Sequence, residues 1–593
     1  MRVQRIVATI IAVLVFSFAS CANASAYRNF RAAIYIPVGG AKKLANPATF
    51  EREFARVSSQ LKFDKVYIEA YRDRVFATDE ELETVKRAFR AKGIETSGGI
   101  TLAAGGSGGQ FGTFDYENPA DRAECERAVR LIARHFDEII LDDFFFYTSK
   151  SDADIAAKGN RSWTDYRLDR MREASKTLVL DPAKQVNPRV RVIIKYPNWY
   201  EHFQGTGYDL ASQAKMFDGI YTGTETRDPV ITDQLLQQYE SYEIVRYLSN
   251  IRPGANLGGW VDTYSIRSID RYAEQLWDGL FAKAPEQMLF EWGAMASDKP
   301  ADPGTRPWAK QSTSFRWPAA GGDGWASAAN QALHTVDAVL GDLGNPVGVA
   351  SYRPPIATGE DFLHNYIGNL GVPIELYPDY PASAHTILLT RAAAADPEII
   401  AKIEASLRGG ANVIVTSGFL EATQDRGFGQ LAEWQVTGHT IAIDQYFVGF
   451  GAGNGTELKE AGKTRPVLFP EVRFYTNDSW GIIRGVAAAK GFPIVLMNHY
   501  SKGTLYLWTM PANFGDLYNL PQPMITQVKQ FLFADAPVQI DAPDHVALFT
   551  YDNGAFVVQN FRDTAAKVGV SRKGQAQAEA VTIAPHSFRL FKP

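Results

Sequence analysis

The sequence predicts a (β/α)8 barrel followed by an open α/β domain and a small C-terminal antiparallel β domain. Three observations predict it. Between Arg31 and Met295 eight apolar, strand-like runs alternate with helical patterns, the signature of βα units in a parallel sheet. The glycines after the first run, "PVGGAKK", lack the GxGxxG spacing that a dinucleotide-binding open sheet places there. Polar residues gather at the carboxyl ends of the runs, where barrels keep their chemistry.

The eight runs are 31–37, 64–71, 93–102, 136–145, 189–200, 217–225, 256–264 and 287–295. Crossover helices are expected between them, among them "PATFEREFARVSSQL", "TDEELETVKRAFRAKG" and "NPADRAECERAVRLIARHF", each preceded or opened by Asn or Thr as an N-cap. The barrel is expected over 27–330, ending in a Pro/Gly-rich passage at 297–324. Strands and helices alternate again over 340–535, and short alternating strands over 536–593 read as a small β-sandwich.

The first 26 residues put Arg2 and Arg5 before an apolar run that ends in Ala22-Asn23-Ala24-Ser25-Ala26, the layout of a cleavable secretory signal with processing near Ala24 or Ala26. The alternatives are a retained anchor helix and lipid attachment at Cys21. Secretion or a periplasmic location is therefore expected, with no membrane span after cleavage. Without the leader the net charge moves from -5 to -7, which argues against nucleic acid as a partner. The other cysteine, Cys125, would stand alone, so no disulfide framework is available. The 9 histidines form no HxH or HExxH pattern, so neither a metal nor a cofactor is expected.

The stretch "FDEIILDDFFFYTS", Phe136 to Ser149, follows an apolar strand with two acids and four aromatics. Strand alternation sends Asp142 and Asp143 to opposite faces unless the strand has ended, and the aromatics would then wall a cleft. Other strand ends add Glu69 and Arg72, Lys195, Tyr196, Asn198 and Trp199, Glu225 and Arg227, Trp260 and Asp262, and Glu291 and Trp292. Glycosidic bond cleavage needs one carboxyl to protonate the leaving oxygen and another to attack or to activate water. Asp142 is the candidate nucleophile or base and Glu225 the candidate acid, with Asp143 and Glu291 as alternatives. The remaining residues are candidates for sugar binding, the tryptophans by stacking. Each has a plainer reading too: Asp142 paired with an arginine, Glu225 paired with Arg227, the tryptophans in the core.

The run "NPADRAECERAVRLIARHFDEIILDDFFFYTS" resembles barrel glycosidases in which an Asn-Pro helix leads into the fourth strand. In the α-galactosidase and family-31 α-glucosidase clan an Asp closing that strand is the nucleophile, which implies Asp142 here. The order of parts is similar to the family-42 β-galactosidases, and it implies an amidotransferase-like middle domain that assembles oligomers. Those enzymes close the fourth strand with Asn-Glu, whereas this chain has Asp142-Asp143, so their catalytic residues do not transfer. Amidotransferase activity needs a cysteine nucleophile, and 340–535 has none. The expectation is a glycosidase acting on an oligo- or polysaccharide; the alternative is a carbohydrate-binding protein on a barrel without catalysis.

Overall fold

The computed structural model describes residues 25–106, 112–229, 236–264, 269–298, 324–449, 455–575 and 577–593. The expected leader, with Cys21, and nearly all of the 297–324 passage lie outside the described residues. Eight parallel strands close a barrel: β1 (Arg31–Ile36), β2 (Lys65–Glu69), β3 (Glu95–Ile100), β4 (Glu138–Leu141), β5 (Arg191–Tyr196), β6 (Gly219–Gly223), β7 (Asn256–Val261) and β8 (Glu286–Phe290). They follow one another around the wall, and β8 pairs with β1 from Arg31↔Glu286 to Tyr35↔Phe290.

Helices cover the outside. Asn46 caps α1 (Pro47–Gln60), a Thr78–Glu81 capping box opens α2 (Asp79–Ala91), and Asn118 caps α3 (Pro119–His135). Two later helices, α4 (Glu240–Ile251) and α5 (Ile269–Phe281), are buried on nearly every side, because the following domains pack on them.

Side chains plug the barrel in layers. Tyr35, Tyr67, Ile140, Ile193, Tyr221 and Trp260 fill its middle. Below them Lys65 pairs with Glu138, and Tyr67 Oη donates to Glu286 at 3.0 Å. Space for the Tyr221 ring comes from Gly258 on β7, where any Cβ would overlap that ring and the Glu286 carbonyl.

A further helix, α6 (Trp325–Leu340), packs on α5 and leads into the second domain. There five parallel strands, β9 (Val349–Tyr352), β10 (Ile374–Tyr377), β11 (Thr386–Leu389), β12 (Asn412–Thr416) and β13 (Gly503–Trp508), run in the order β10-β9-β11-β12-β13. The sheet continues past β13 through antiparallel strands at 490–500, 480–487, 445–448 and 456–457, an extension that the sequence reading did not anticipate. The C-terminal part is built from two antiparallel sheets, one of which borrows Pro346–Val347. No helix among the described residues is long and apolar enough to cross a membrane.

Candidate active site

Alternation along the buried strands builds the site. Ile140 and Ile193 point into the barrel, so two residues later Asp142 and Lys195 point along its axis at the carboxyl end; Glu69 stands in the same relation to Tyr67. Lys195 is the hub. Its Nζ lies 2.7 Å from Glu225, 2.9 Å from Asp143 and 3.3 Å from Asp142, and 4.1 Å from the centre of the Trp260 ring. Both acids of the pair reach it because β4 ends at Leu141, so the chain is no longer pleated when it arrives at Asp143.

The three carboxyls differ in protonation. Burial works against ionising Asp142, but Lys195, Arg72 and the Asp143 amide overcome it and hold the group at about 2. Burial pushes Asp143 up to about 6, the attraction of Lys195 being offset by the neighbouring Asp142. Burial also lifts Glu225, which stands at about 7: Lys195 and Arg227 pull it down, while Asp143 and Asp262 oppose them. Lys195 stays charged, since the three acids outweigh its desolvation.

Two arginines frame this cluster. Arg72 donates through Nη2 to Asp142 at 2.8 Å and through Nε to Glu69 at 3.1 Å. Glu69 in turn accepts from Tyr35 Oη at 2.8 Å and from the Val38 amide at 2.6 Å. Arg227 pairs with Asp262 at 2.8 Å rather than with Glu225. Asn198 donates to the Glu225 carbonyl and so fixes the loop after β6.

Four expectations need correction. Tyr196 faces out of the barrel, packed on Phe203 and Tyr208 with its hydroxyl 3.2 Å from Gln213, because it alternates with Lys195. Trp292 is buried against Phe63 and Phe89 in the helical layer and donates to Glu53 at 3.0 Å. Glu291 caps the short helix Trp292–Met295, accepting from the Gly293 amide at 2.7 Å and the Ala294 amide at 3.0 Å; the chain turns helical there instead of extending β8 to residue 295. The aromatic run is largely core: Phe145, Phe146 and Tyr147 are buried, and only Phe144, 5.7 Å from the Arg72 guanidinium, borders the mouth.

Trp260 is at the site but buried, stacked on Phe290 at 5.5 Å. Trp199 is half-buried against Phe146. Sequence reasoning missed Thr101, whose hydroxyl lies 3.2 Å from Asp142 and also bonds Glu69, and Tyr208, which donates to the Asp143 carbonyl at 2.6 Å. Thr101 was findable as a polar residue one step past β3; Tyr208 carried no such signal. Among the described residues no group of three or more His, Cys, Asp or Glu is arranged to hold a metal ion.

An eight-stranded parallel barrel with acids of unequal protonation around one lysine at its carboxyl end places titratable groups where barrel enzymes keep their chemistry. The chain belongs to the family described as "Probable glycosyl hydrolase, catalytic domain", which matches residues 19–342; residues 344–513 match "Uncharacterized protein SSO3021, second domain" and 537–579 "Probable glycosyl hydrolase, C-terminal domain". Over 299 residues it is 26% identical to "Uncharacterized protein SSO3021" of Saccharolobus solfataricus, a match covering 45% of this chain and 49% of that one. The chain thus spans about half the length of the curated relative it matches.

Similar solved structures include the β-galactosidases of Bacillus circulans sp. alkalophilus (TM-score 0.61, covering 95% of this chain and 99% of that one) and Rahnella sp. R3 (0.61, 95% and 98%), each 10% identical. A family-42 β-galactosidase from G. stearothermophilus, as a catalytic mutant, gives 0.59 at 10% identity, over 95% and 99%. At that identity the likeness is one of fold, and it agrees with the architecture expected from the sequence.

Proposed function

We propose that the protein hydrolyses O-glycosidic bonds of an oligo- or polysaccharide, with Glu225 as proton donor and Asp142 as the anionic partner. The observation that carries this reading is the carboxyl cluster around Lys195, in which Lys195 and Arg72 hold Asp142 ionised while burial, with Asp143 and Asp262, leaves Glu225 protonated for much of the time at neutral pH. Glu225 would pass its proton to the leaving oxygen as the glycosidic bond breaks. Asp142 would form a bond to the anomeric carbon, and water, deprotonated by Glu225, would then release the sugar. The two acids contact one nitrogen, so their nearest oxygens are no more than about 6 Å apart, which favours the retaining over the inverting range.

Asp143 supports a second assignment of the nucleophile, because 14% of its side chain is exposed against 4% for Asp142. Kinetics on aryl glycosides separates the two. Asp142→Asn is expected to abolish turnover, while Glu225→Gln should spare activated leaving groups and respond to azide. Full activity in Asp142→Asn with loss in Asp143→Asn moves the role to Asp143. No turnover by the wild-type protein, with measurable sugar binding, turns the reading to the non-catalytic alternative. We further propose that the protein is exported, on the strength of its leader-like first 26 residues, and that the second domain serves oligomerisation, having no cysteine nucleophile.

A further inference from the structure

Glu225 sits in a loop that is held from several sides. Thr224 donates to the Trp260 carbonyl through both its amide and its hydroxyl, at 2.9 Å each. The Thr226 amide donates to the Thr224 carbonyl at 2.9 Å, which closes a three-residue turn with Glu225 at its apex. Just beyond the turn Arg227 has a φ of 53°, a left-handed conformation that a residue with a side chain seldom adopts. Two residues of α5 keep it there: Gln275 accepts from its amide at 2.9 Å, and Arg271 donates to its carbonyl at 2.8 Å.

A further support comes from α4. Ser241, in its first turn, is buried and donates to the same Thr224 carbonyl at 3.0 Å. With its one hydroxyl hydrogen used there, Ser241 accepts from Thr226, whose hydroxyl lies 2.9 Å away and is buried too. The pair thus ties both neighbours of Glu225 to one helix. That helix is anchored in turn to the second domain: Tyr239, just before it, accepts from the Ile374 amide at 2.9 Å, and Arg246 pairs with Glu375 at 2.6 Å.

The carboxyl has little room to absorb a change in this turn. It folds back over Gly223, where a Cβ would lie 2.6 Å from Glu225 Oε2, and Lys195 fixes the other oxygen at 2.7 Å. Proton transfer needs the donor within hydrogen-bond reach of the leaving oxygen, and a displacement of about 1 Å can cost about a hundredfold in rate. We propose that Ser241 and Thr226 are positioning residues that set the Glu225 carboxyl for proton donation. They act through the backbone turn rather than on the substrate, and the proposal rests on the assignment of Glu225 as the acid.

The test compares kcat/KM on two glycosides of one sugar, one with a poor leaving group and one with an activated aryl leaving group that needs little protonation. Thr226→Val removes the hydroxyl and keeps the shape of the side chain. It should lower kcat/KM on the poor leaving group about tenfold or more and change the activated substrate less than about twofold. Thr226→Ser, which keeps the hydroxyl, should stay near the wild-type ratio, and Ser241→Ala should repeat the Thr226→Val result. A merely structural role would lower both substrates together. Equal losses on the two substrates, no loss in Thr226→Val, or a Thr226→Ser protein as impaired as Thr226→Val would overturn the proposal. Glu225→Gln, measured alongside, separates the two levels of the argument. If it shows no preference for the activated leaving group, the acid assignment falls and the proposal with it; with that preference intact, the other outcomes bear on the positioning alone.

Discussion

Lys195 does two opposing things. It neutralises charge that the barrel would otherwise not tolerate, and it limits how far the pKa values of Glu225 and Asp143 climb. Lys195→Met should therefore move the alkaline limb of kcat/KM to higher pH, by about one unit or more, even as the rate falls. Measuring that limb in both proteins checks the sign. A limb that shifts down, or does not shift, would mean that the titrating group is not one of these acids. Arg72 acts on Asp142 in the same sense, so Arg72→Gln should raise the acidic limb from its low position near pH 2.

At the scale of elements, Gly258 shows how the barrel is packed. Gly258→Ala would force a methyl against the Tyr221 ring and the Glu286 backbone, and overpacking of this kind costs about 1 to 3 kcal/mol. A lowered melting temperature with unchanged kcat in the surviving folded protein is expected, since Tyr221 lies below the Lys195 layer. The strands themselves were legible because their apolar runs are long and regularly spaced. Their inward faces were less so: strands of a parallel barrel are buried on both sides, so hydrophobicity does not alternate and the outward Tyr196 reads like the inward Tyr221. Only charge marks the inward residue, which is why Glu69, Asp142 and Lys195 were found. Trp292 and Glu291 were misplaced because nothing in "LFEWGAM" marks the turn from strand into helix. The pairing of Arg227 with Asp262 joins two strand ends distant in sequence, information that a single chain does not contain.

At the scale of the whole molecule, the barrel and second domain meet through buried acids. Glu201 pairs with Arg353 at 2.6 Å and accepts from the Phe362 amide, and Glu243 accepts from Asn365 at 2.5 Å. Burial raises Glu201 to about 7 and Glu243 to about 8. Folded-state values above the unfolded ones mean that this stability is full below pH 4.5 and is lost as pH rises through 7 and 8. Thermal melts should fall between pH 5 and 9 for this reason. Glu243→Gln, which keeps an acceptor for Asn365, should flatten that dependence by on the order of 1 to 3 kcal/mol. An unchanged slope would place the pH sensitivity elsewhere.

The central claim is that Glu225 supplies the proton for glycosidic cleavage, and the pH dependence of kcat/KM on a cleaved glycoside with a poor leaving group tests it most directly. The wild-type profile is predicted to fall tenfold per unit above a limb near pH 7, set by Glu225, and Glu225→Gln should lose both that limb and most of the rate. A Glu225→Gln protein that keeps the wild-type rate and the same limb would contradict the claim.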